Sequence, residues 1–248
     1  MYQDKVLTEG LRELGIPYTD RQLGQLHCYY EMMVEKNKVM NLTGITEYDE
    51  VVVKHWLDSL CFSKIYLPMR KEGFCPKLID IGTGAGFPGI PIKILFPEIE
   101  VLLLDSLQKR ITFLQDVVNT LELNTISCVH GRAEELSVKP AYRETFDFAV
   151  SRAVARLTSL AEFCIPFVKE GGVFVSYKAD ASEEEISESL YAMKTLGCAK
   201  PDILSYIVPG SDLPRKLVAA KKISNTPGKY PRGGGKPLKA PLIQPVKR

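Results

Sequence analysis

From Lys77 onward the sequence repeats one pattern, a short unbroken apolar run of β type followed by a longer stretch with helical spacing. The runs are KLIDIG (77–82), EVLLLD (100–105), TISCVH (125–130), FDFAVS (146–151) and GVFVSYKA (172–179). Helical patterns fall around 88–96, 108–121 and 157–168, with another near 183–196. Strands that are apolar throughout, rather than at every second residue, belong to a sheet covered on both faces, which means parallel strands joined by helical crossovers. The expectation is an α/β fold with a doubly wound, mostly parallel sheet. KLVAAKKI (216–223) is a candidate closing strand.

The first 72 residues follow a different pattern. Leu23, Leu26, Tyr30, Met33 and Val34 recur at helical spacing, as do Val52, Val53, Trp56, Leu57 and Leu60, with a break at NLTGIT between them. The division expected is a helical N-terminal extension, 1–72, and an α/β domain, 73–248. The whole chain of 248 residues is 45% hydrophobic, enough for one large core. No apolar run approaches the ~18 residues of a membrane span. The N-terminus MYQDKVLTEGLREL lacks an apolar signal core, and six scattered cysteines form no metal or disulfide pattern, so a cytoplasmic protein without a metal is expected. A net charge of +2 hides an asymmetry: residues 213–248 carry ten Lys or Arg and no acid, whereas the rest holds 22 basic and 30 acidic residues. Such a segment is either a solvated tail or a polyanion contact.

LIDIGTGAGFPGIP (78–91) holds two glycine fingerprints in overlapping registers. Gly84, Gly86 and Gly89 fit the dinucleotide pattern G-x-G-x-x-G, and Asp80, Gly82, Gly84 and Gly86 fit D-x-G-x-G-x-G. Asp105, ending the second run, can accept ribose hydroxyls in either case. Asp80 separates them, because a carboxylate inside an apolar strand needs a partner and would repel a pyrophosphate. The α-ammonium and sulfonium of S-adenosylmethionine suit it, although a loop-capping role stays open. In HGRAEEL (130–136), Ala133 and Glu134 offer a small residue and an acid that could frame an adenine, or simply start a helix. Arg152 ends the fourth run, beside the crevice where such sheets bind ligands. Methyl transfer is the better reading than hydride transfer.

The fourth run ends in SRAVAR (151–156), with neither an [N/D/S]-P-P-[Y/F/W] motif for exocyclic amines nor a Pro-Cys pair for pyrimidine C5. Cys164 reads as helix core, and Lys178 is the nearby candidate base for an oxygen acceptor. An acceptor needing no deprotonation, such as guanine N7, is attractive; catalysis then rests on positioning, no general base is expected, and no catalytic residue is assigned. KYPRGGGKPLKAP (229–241) interleaves Lys229, Arg232, Lys236 and Lys239 with Tyr230, which suits phosphates and an unpaired base. NLTGIT and KHWLDSL add Asn41, Thr43, Lys54, His55, Asp58 and Ser59 around a helix–loop junction, where local sequence favours reading His55 as an ordinary helix residue hydrogen-bonded to a nearby backbone or carboxylate group.

Together NLTGI, KHWLDSL, LIDIGTGAGFPGIP, LLLDSLQKR, GRAEEL, FDFAVSRAVA and YPRGGGKPLKAPL, in order from Asn41 to Leu242, resemble the bacterial small-subunit rRNA guanine-N7 methyltransferases, the glucose-inhibited division protein B family. The resemblance implies a class I, Rossmann-like methyltransferase domain that uses S-adenosylmethionine to methylate one guanine N7 in the 530 loop of 16S rRNA. It implies cofactor contacts at Gly82, Phe87, Ala133, Glu134 and Arg152, to which the residue-level reading adds Asp80, Gly84, Gly86, Asp105 and Ser106. The expected rRNA face draws on Asn41, Lys54, His55, Lys229, Arg232 and Lys236. The expected partner is 16S rRNA, the small ribosomal subunit or its precursor, with no DNA and no membrane, and the expected state is a monomer. Two departures bear on the RNA face: Lys36 stands where the family has Trp, and Gly233-Gly234-Gly235-Lys236-Pro237 replaces Lys-Ala-Gly-Thr-Pro.

Overall fold

The computed structural model describes residues 3–152, 155–179 and 183–244. Its helices and strands run α1 (Lys5–Glu13), α2 (Asp20–Met40) and α3 (Tyr48–Val51), then through a π-helical segment, Val52–Leu57, into α4 (Asp58–Leu60) and α5 (Ser63–Tyr66). There follow β1 (Lys77–Ile81), α6 (Gly89–Leu95), β2 (Glu100–Asp105), α7 (Gln108–Thr120), β3 (Ile126–His130), α8 (Ala133–Leu136) and β4 (Phe146–Arg152). The remainder is α9 (Leu157–Cys164), β5 (Val168–Lys178), α10 (Glu183–Thr195), β6 (Asp202–Ile207), β7 (Pro214–Lys221) and α11 (Lys236–Lys239). The strand order is β3-β2-β1-β4-β5-β7-β6. This is the doubly wound, mostly parallel sheet expected, with the winding reversing between β1 and β4. No helix among the described residues is long and apolar enough to cross a membrane.

By its contacts the chain divides into two compact units, Met1–Cys75 with Thr83–His130 and Ile207–Leu213, and Pro76–Gly82 with Gly131–Tyr206 and Pro214–Arg248. In the first, α2 starts in a capping box between Thr19 and Gln22 and stops at Asn41, whose φ of 48° is left-handed. This is the break seen at NLTGIT. α2 carries amide side chains that satisfy the carbonyls left over at other helix ends: Gln22 Nε2 donates to Ile94 O and Gln25 Nε2 to Leu121 O, each at 2.7 Å. β2 and β3 pair in parallel from Val101–Ile126 to Asp105–His130. Lys93 is buried, and its ammonium donates to Pro97 O, Ile99 O and Thr125 Oγ1, all at 2.7 Å.

In the second unit β1 and β4 pair in parallel, Asp80 opposite Val150, and β4 pairs in parallel with β5, with an irregularity between Phe146 and Phe148. β5 and β7 are antiparallel. β1 and β4 are buried at successive residues, so both their faces are covered, as their unbroken apolar runs require. β5 begins four residues ahead of the expected run, and β6 was not expected at all. The basic segment after β7 is packed rather than free. Arg143 donates to Tyr230 O (3.0 Å) and Thr226 O (2.7 Å), Ser159 Oγ donates to Pro237 O (2.7 Å), and Tyr230 is buried. Residues 245–248 of that segment, and Ala153 of the SRA motif, lie outside the described residues.

Candidate active site

The loop after β1 carries both overlapping glycine registers. Gly82, Gly84 and Gly86 have φ of 71°, 63° and 110°, a region that favours glycine, whereas Gly89 is the first helical residue of α6. The positive-φ glycines are those of the D-x-G-x-G-x-G register, and Gly89, the third glycine of the dinucleotide pattern, serves the helix. Gly86 is also confined in space. A Cβ there would lie 2.7 Å from Ile90 Cγ1, 2.8 Å from the Tyr29 hydroxyl and 3.0 Å from Leu114 Cδ2. Asp80 occupies β1 with no exposed surface.

Asp105, at the end of β2, is buried and organises the same loop. Its Oδ2 accepts from Gly84 N–H (3.0 Å) and Arg110 Nη1 (3.3 Å), and its Oδ1 from Leu107 N–H (2.9 Å). A carboxylate offers about four acceptor directions. One remains beyond these three, and the long bond to the partly exposed Arg110 is the most readily exchanged. Ser106 is exposed, and its carbonyl accepts from His130 Nε2 (3.0 Å). Phe87, buried, stacks on His55 with centroids 4.4 Å apart and planes at 24°, and lies 5.5 Å from the Tyr29 ring. Asn41 is exposed, and Lys54 is paired with Glu50 one turn away. His55 is buried and hydrogen-bonded, with Nε2 2.8 Å from Thr43 Oγ1.

In the second unit Ala133 and Glu134 open α8, with Glu134 buried and its Oε1 held by Arg132 Nε (2.8 Å) and Nη2 (2.7 Å). Arg152 is the last residue of β4, opposite Tyr177, and is half-buried. Ser151, beside it, is buried and donates to Ile81 O (2.8 Å). Two groups weighed as chemical participants are committed elsewhere. Lys178 Nζ pairs with Glu185 (2.7 Å) and donates to Ala155 O (3.1 Å), so it is engaged in an ion pair. Cys164 is fully buried; burial, with the nearby Asp80 charge, pushes its thiol well above the usual range, which excludes a ready thiolate.

Among the tail cations, Lys229 and Lys236 are exposed, Lys229 lying over the Tyr230 ring 5.3 Å from its centroid. Arg232 is different. Its Nε and Nη2 reach the fully buried carboxylate of Glu162 on α9 at 2.9 and 2.6 Å, its backbone N–H adds a bond of 2.7 Å, and Nη2 also donates to Ala240 O. The guanidinium that looked available for phosphate is a buttress of the segment. Three residues with roles around the loop and tail had not been singled out from the sequence: Tyr29, Arg110 and Glu162. Glu162 left a trace, as the lone acid in the apolar helix LTSLAEFC.

The chain is similar over most of its length to known proteins. The family model GidB, described as rRNA small subunit methyltransferase G, matches residues 22–207. A protein named ribosomal RNA small subunit methyltransferase G in Lachnoclostridium phytofermentans is 51% identical over 244 residues, covering 98% of this chain and 99% of its own. Its namesake in Alkaliphilus oremlandii is 48% identical, over 96% of this chain and 98% of its own. Among solved structures, a predicted O-methyltransferase of Agrobacterium tumefaciens superposes with a TM-score of 0.51 at 18% identity, over 68% of this chain and 80% of that one. At that identity the likeness speaks for the fold alone. With the family match spanning most of the chain and relatives near half identical end to end, the protein belongs to the rRNA small subunit methyltransferase G family.

Proposed function

We propose that the chain transfers a methyl group from S-adenosylmethionine to N7 of one guanine in the 530 loop of 16S rRNA. The observation that carries the cofactor half is the loop geometry: three left-handed glycines directly after a strand that buries Asp80, with Gly89 absorbed into α6. When bound, S-adenosylmethionine supplies an activated methyl carbon. Asp80 holds the α-ammonium of the cofactor, and Asp105 takes a ribose hydroxyl in the acceptor direction its loop bonds leave over. Gly82, Gly84, Gly86 and Phe87 shape the backbone that approaches it, together with Ser106. Ala133 and Glu134 frame the adenine, and Arg152, at the end of β4, completes the cofactor contacts.

The acceptor assignment is supported by what the neighbouring side chains are committed to. Lys178 is ion-paired and burial raises the Cys164 thiol, so neither of these two side chains is a ready helper for an oxygen or a pyrimidine C5 acceptor. Guanine N7 has an in-plane lone pair and needs none, so the residues act by positioning. Lys229, Lys236 and Asn41 supply RNA contacts, with Tyr230 beneath Lys229. Calorimetric titration with S-adenosylhomocysteine and with NAD, alongside transfer of labelled methyl to small-subunit rRNA, tests the reading. Binding of the first ligand only, with label in the RNA, is expected. Saturable NAD binding, or binding without any transfer, would overturn it.

A further inference from the structure

The segment Val52–Leu57 winds as a π-helix between two α-helical stretches. Such turns are rare, and they persist where a helix has to aim a side chain. Here the aimed side chain is His55. Its ring lies nearly parallel to Phe87 at 4.4 Å, and its Nε2 meets Thr43 Oγ1 at 2.8 Å. Thr43 is itself held: Asn37 Nδ2 donates to Thr43 O, the Thr43 N–H donates back to Asn37 Oδ1, both at 2.9 Å, and Thr43 Oγ1 accepts from the Ile45 N–H at 3.1 Å.

A second grip comes from α2. Tyr29, fully buried, donates its hydroxyl to Ala85 O at 2.6 Å and sets its ring 5.5 Å from Phe87. Between the two grips lies Gly86, at a φ of 110° that costs conformational entropy to hold. We propose that Tyr29 and His55 are positioning residues for the cofactor loop, gripping Ala85–Phe87 so that the glycine conformation exists before the ligand arrives, with Thr43 and Asn37 orienting the imidazole. The proposal rests on reading this loop as the S-adenosylmethionine site. A loop that is competent for only a fraction of the time weakens apparent affinity by that fraction, and leaves the saturated rate alone. The helical extension is then part of the cofactor machinery, and not only a surface for RNA.

The test is titration of the full chain with S-adenosylhomocysteine, for the wild type and for Tyr29→Phe, Thr43→Val, His55→Ala and His55→Phe. Thermal unfolding without ligand identifies any variant that has lost its fold. Tyr29→Phe, which removes one oxygen, is expected to bind about tenfold more weakly, the size of losing one hydrogen bond that acts through the loop. His55→Ala is expected to fall at least as far, and His55→Phe, which keeps a ring against Phe87, to recover part of the loss. In steady state the KM for S-adenosylmethionine rises while kcat at saturating cofactor is retained. A wild type that binds no S-adenosylhomocysteine overturns the cofactor reading itself. A wild type that binds, with folded Tyr29→Phe and His55→Ala within twofold of it, overturns the grip alone.

Discussion

Replacing Arg232 by alanine separates a structural cation from an RNA contact. The Glu162 carboxylate is fully buried, and in the wild type it receives two side-chain donors and one backbone N–H, all from Arg232. Alanine keeps the backbone bond and removes the charge that compensates the carboxylate. Breaking a buried pair from one side costs about 3–5 kcal/mol, and a guanidinium a quarter exposed, with one bond surviving, lowers the expectation to about 2–3 kcal/mol. The segment can also detach and hydrate Glu162, so part of the loss appears locally. Urea unfolding gives the global change, and limited trypsin digestion at Lys229 and Lys239 reads the local one. The same substitution in a Glu162→Gln background is expected to cost about 1–2 kcal/mol less, because no charge is orphaned. A change under about 0.5 kcal/mol with unaltered digestion, together with a flatter salt dependence of RNA binding, would refute the buttress role and return Arg232 to the phosphates.

Gly86→Ala combines a φ of 110° with contacts of 2.7–3.0 Å to Ile90, Tyr29 and Leu114, so a stability loss of about 2–4 kcal/mol and loss of cofactor binding are expected, measured by urea unfolding and calorimetry. A variant as stable as the wild type would mean the loop is not held in this form. Burial pulls the Lys93 ammonium down to about 8 from 10.5, despite Glu98 and Glu100 nearby. The fold then binds fewer protons than the unfolded chain between these values, so stability relative to Lys93→Met rises with pH across that window, by on the order of 2 kcal/mol; parallel urea midpoints from pH 7.5 to 10 would contradict this. Lys229→Gln with Lys236→Gln is expected to lower the slope of log affinity for rRNA against log salt by ~1.4, at ~0.7 per single-strand phosphate contact, with cofactor affinity unchanged. An unchanged slope would make both residues solvated bystanders.

What the sequence discloses about this fold is what is local. β1 with its glycine loop, β2 and β4 are readable because burial on both faces leaves mostly apolar runs, whose interior polar residues are Asp80 in β1 and Asp147 and Ser151 in β4. β5 starts at Val168 rather than Gly172 because its polar opening, VKEG, is held by pairing across the irregularity at Phe146–Phe148, which no pattern within β5 records. DILSYI, the edge strand β6, is exposed at four of its six residues, Ile203 and Ile207 among them, and so carries no clean alternation. The helical spacing in α2 points to Tyr30 as a core residue. The fully buried tyrosine is Tyr29, one position round the helix, and its hydroxyl is taken up by Ala85 O in the glycine loop, a distant partner that no spacing within α2 records.

The same distinction holds at the site. The glycine loop and the buried Asp80 before it were legible because the residues are contiguous and a carboxylate in an apolar strand is conspicuous. The engagement of Arg232 was not, since its partner lies seventy positions away on α9. His55 was legible as a chemically interesting residue and illegible in its setting, since the π turn that aims it at Phe87 leaves no residue-type signature.

The most direct test of the account identifies the methylated atom. Small subunits, or 16S rRNA, from a strain lacking the modification are incubated with the protein and S-adenosylmethionine, and the RNA is then treated with borohydride and aniline, which cleaves at 7-methylguanine. The account predicts one new cleavage, in the 530 loop, that depends on the cofactor and disappears with Gly86→Ala. Methyl incorporation without cleavage in that loop would contradict the assignment of guanine N7 there as the acceptor.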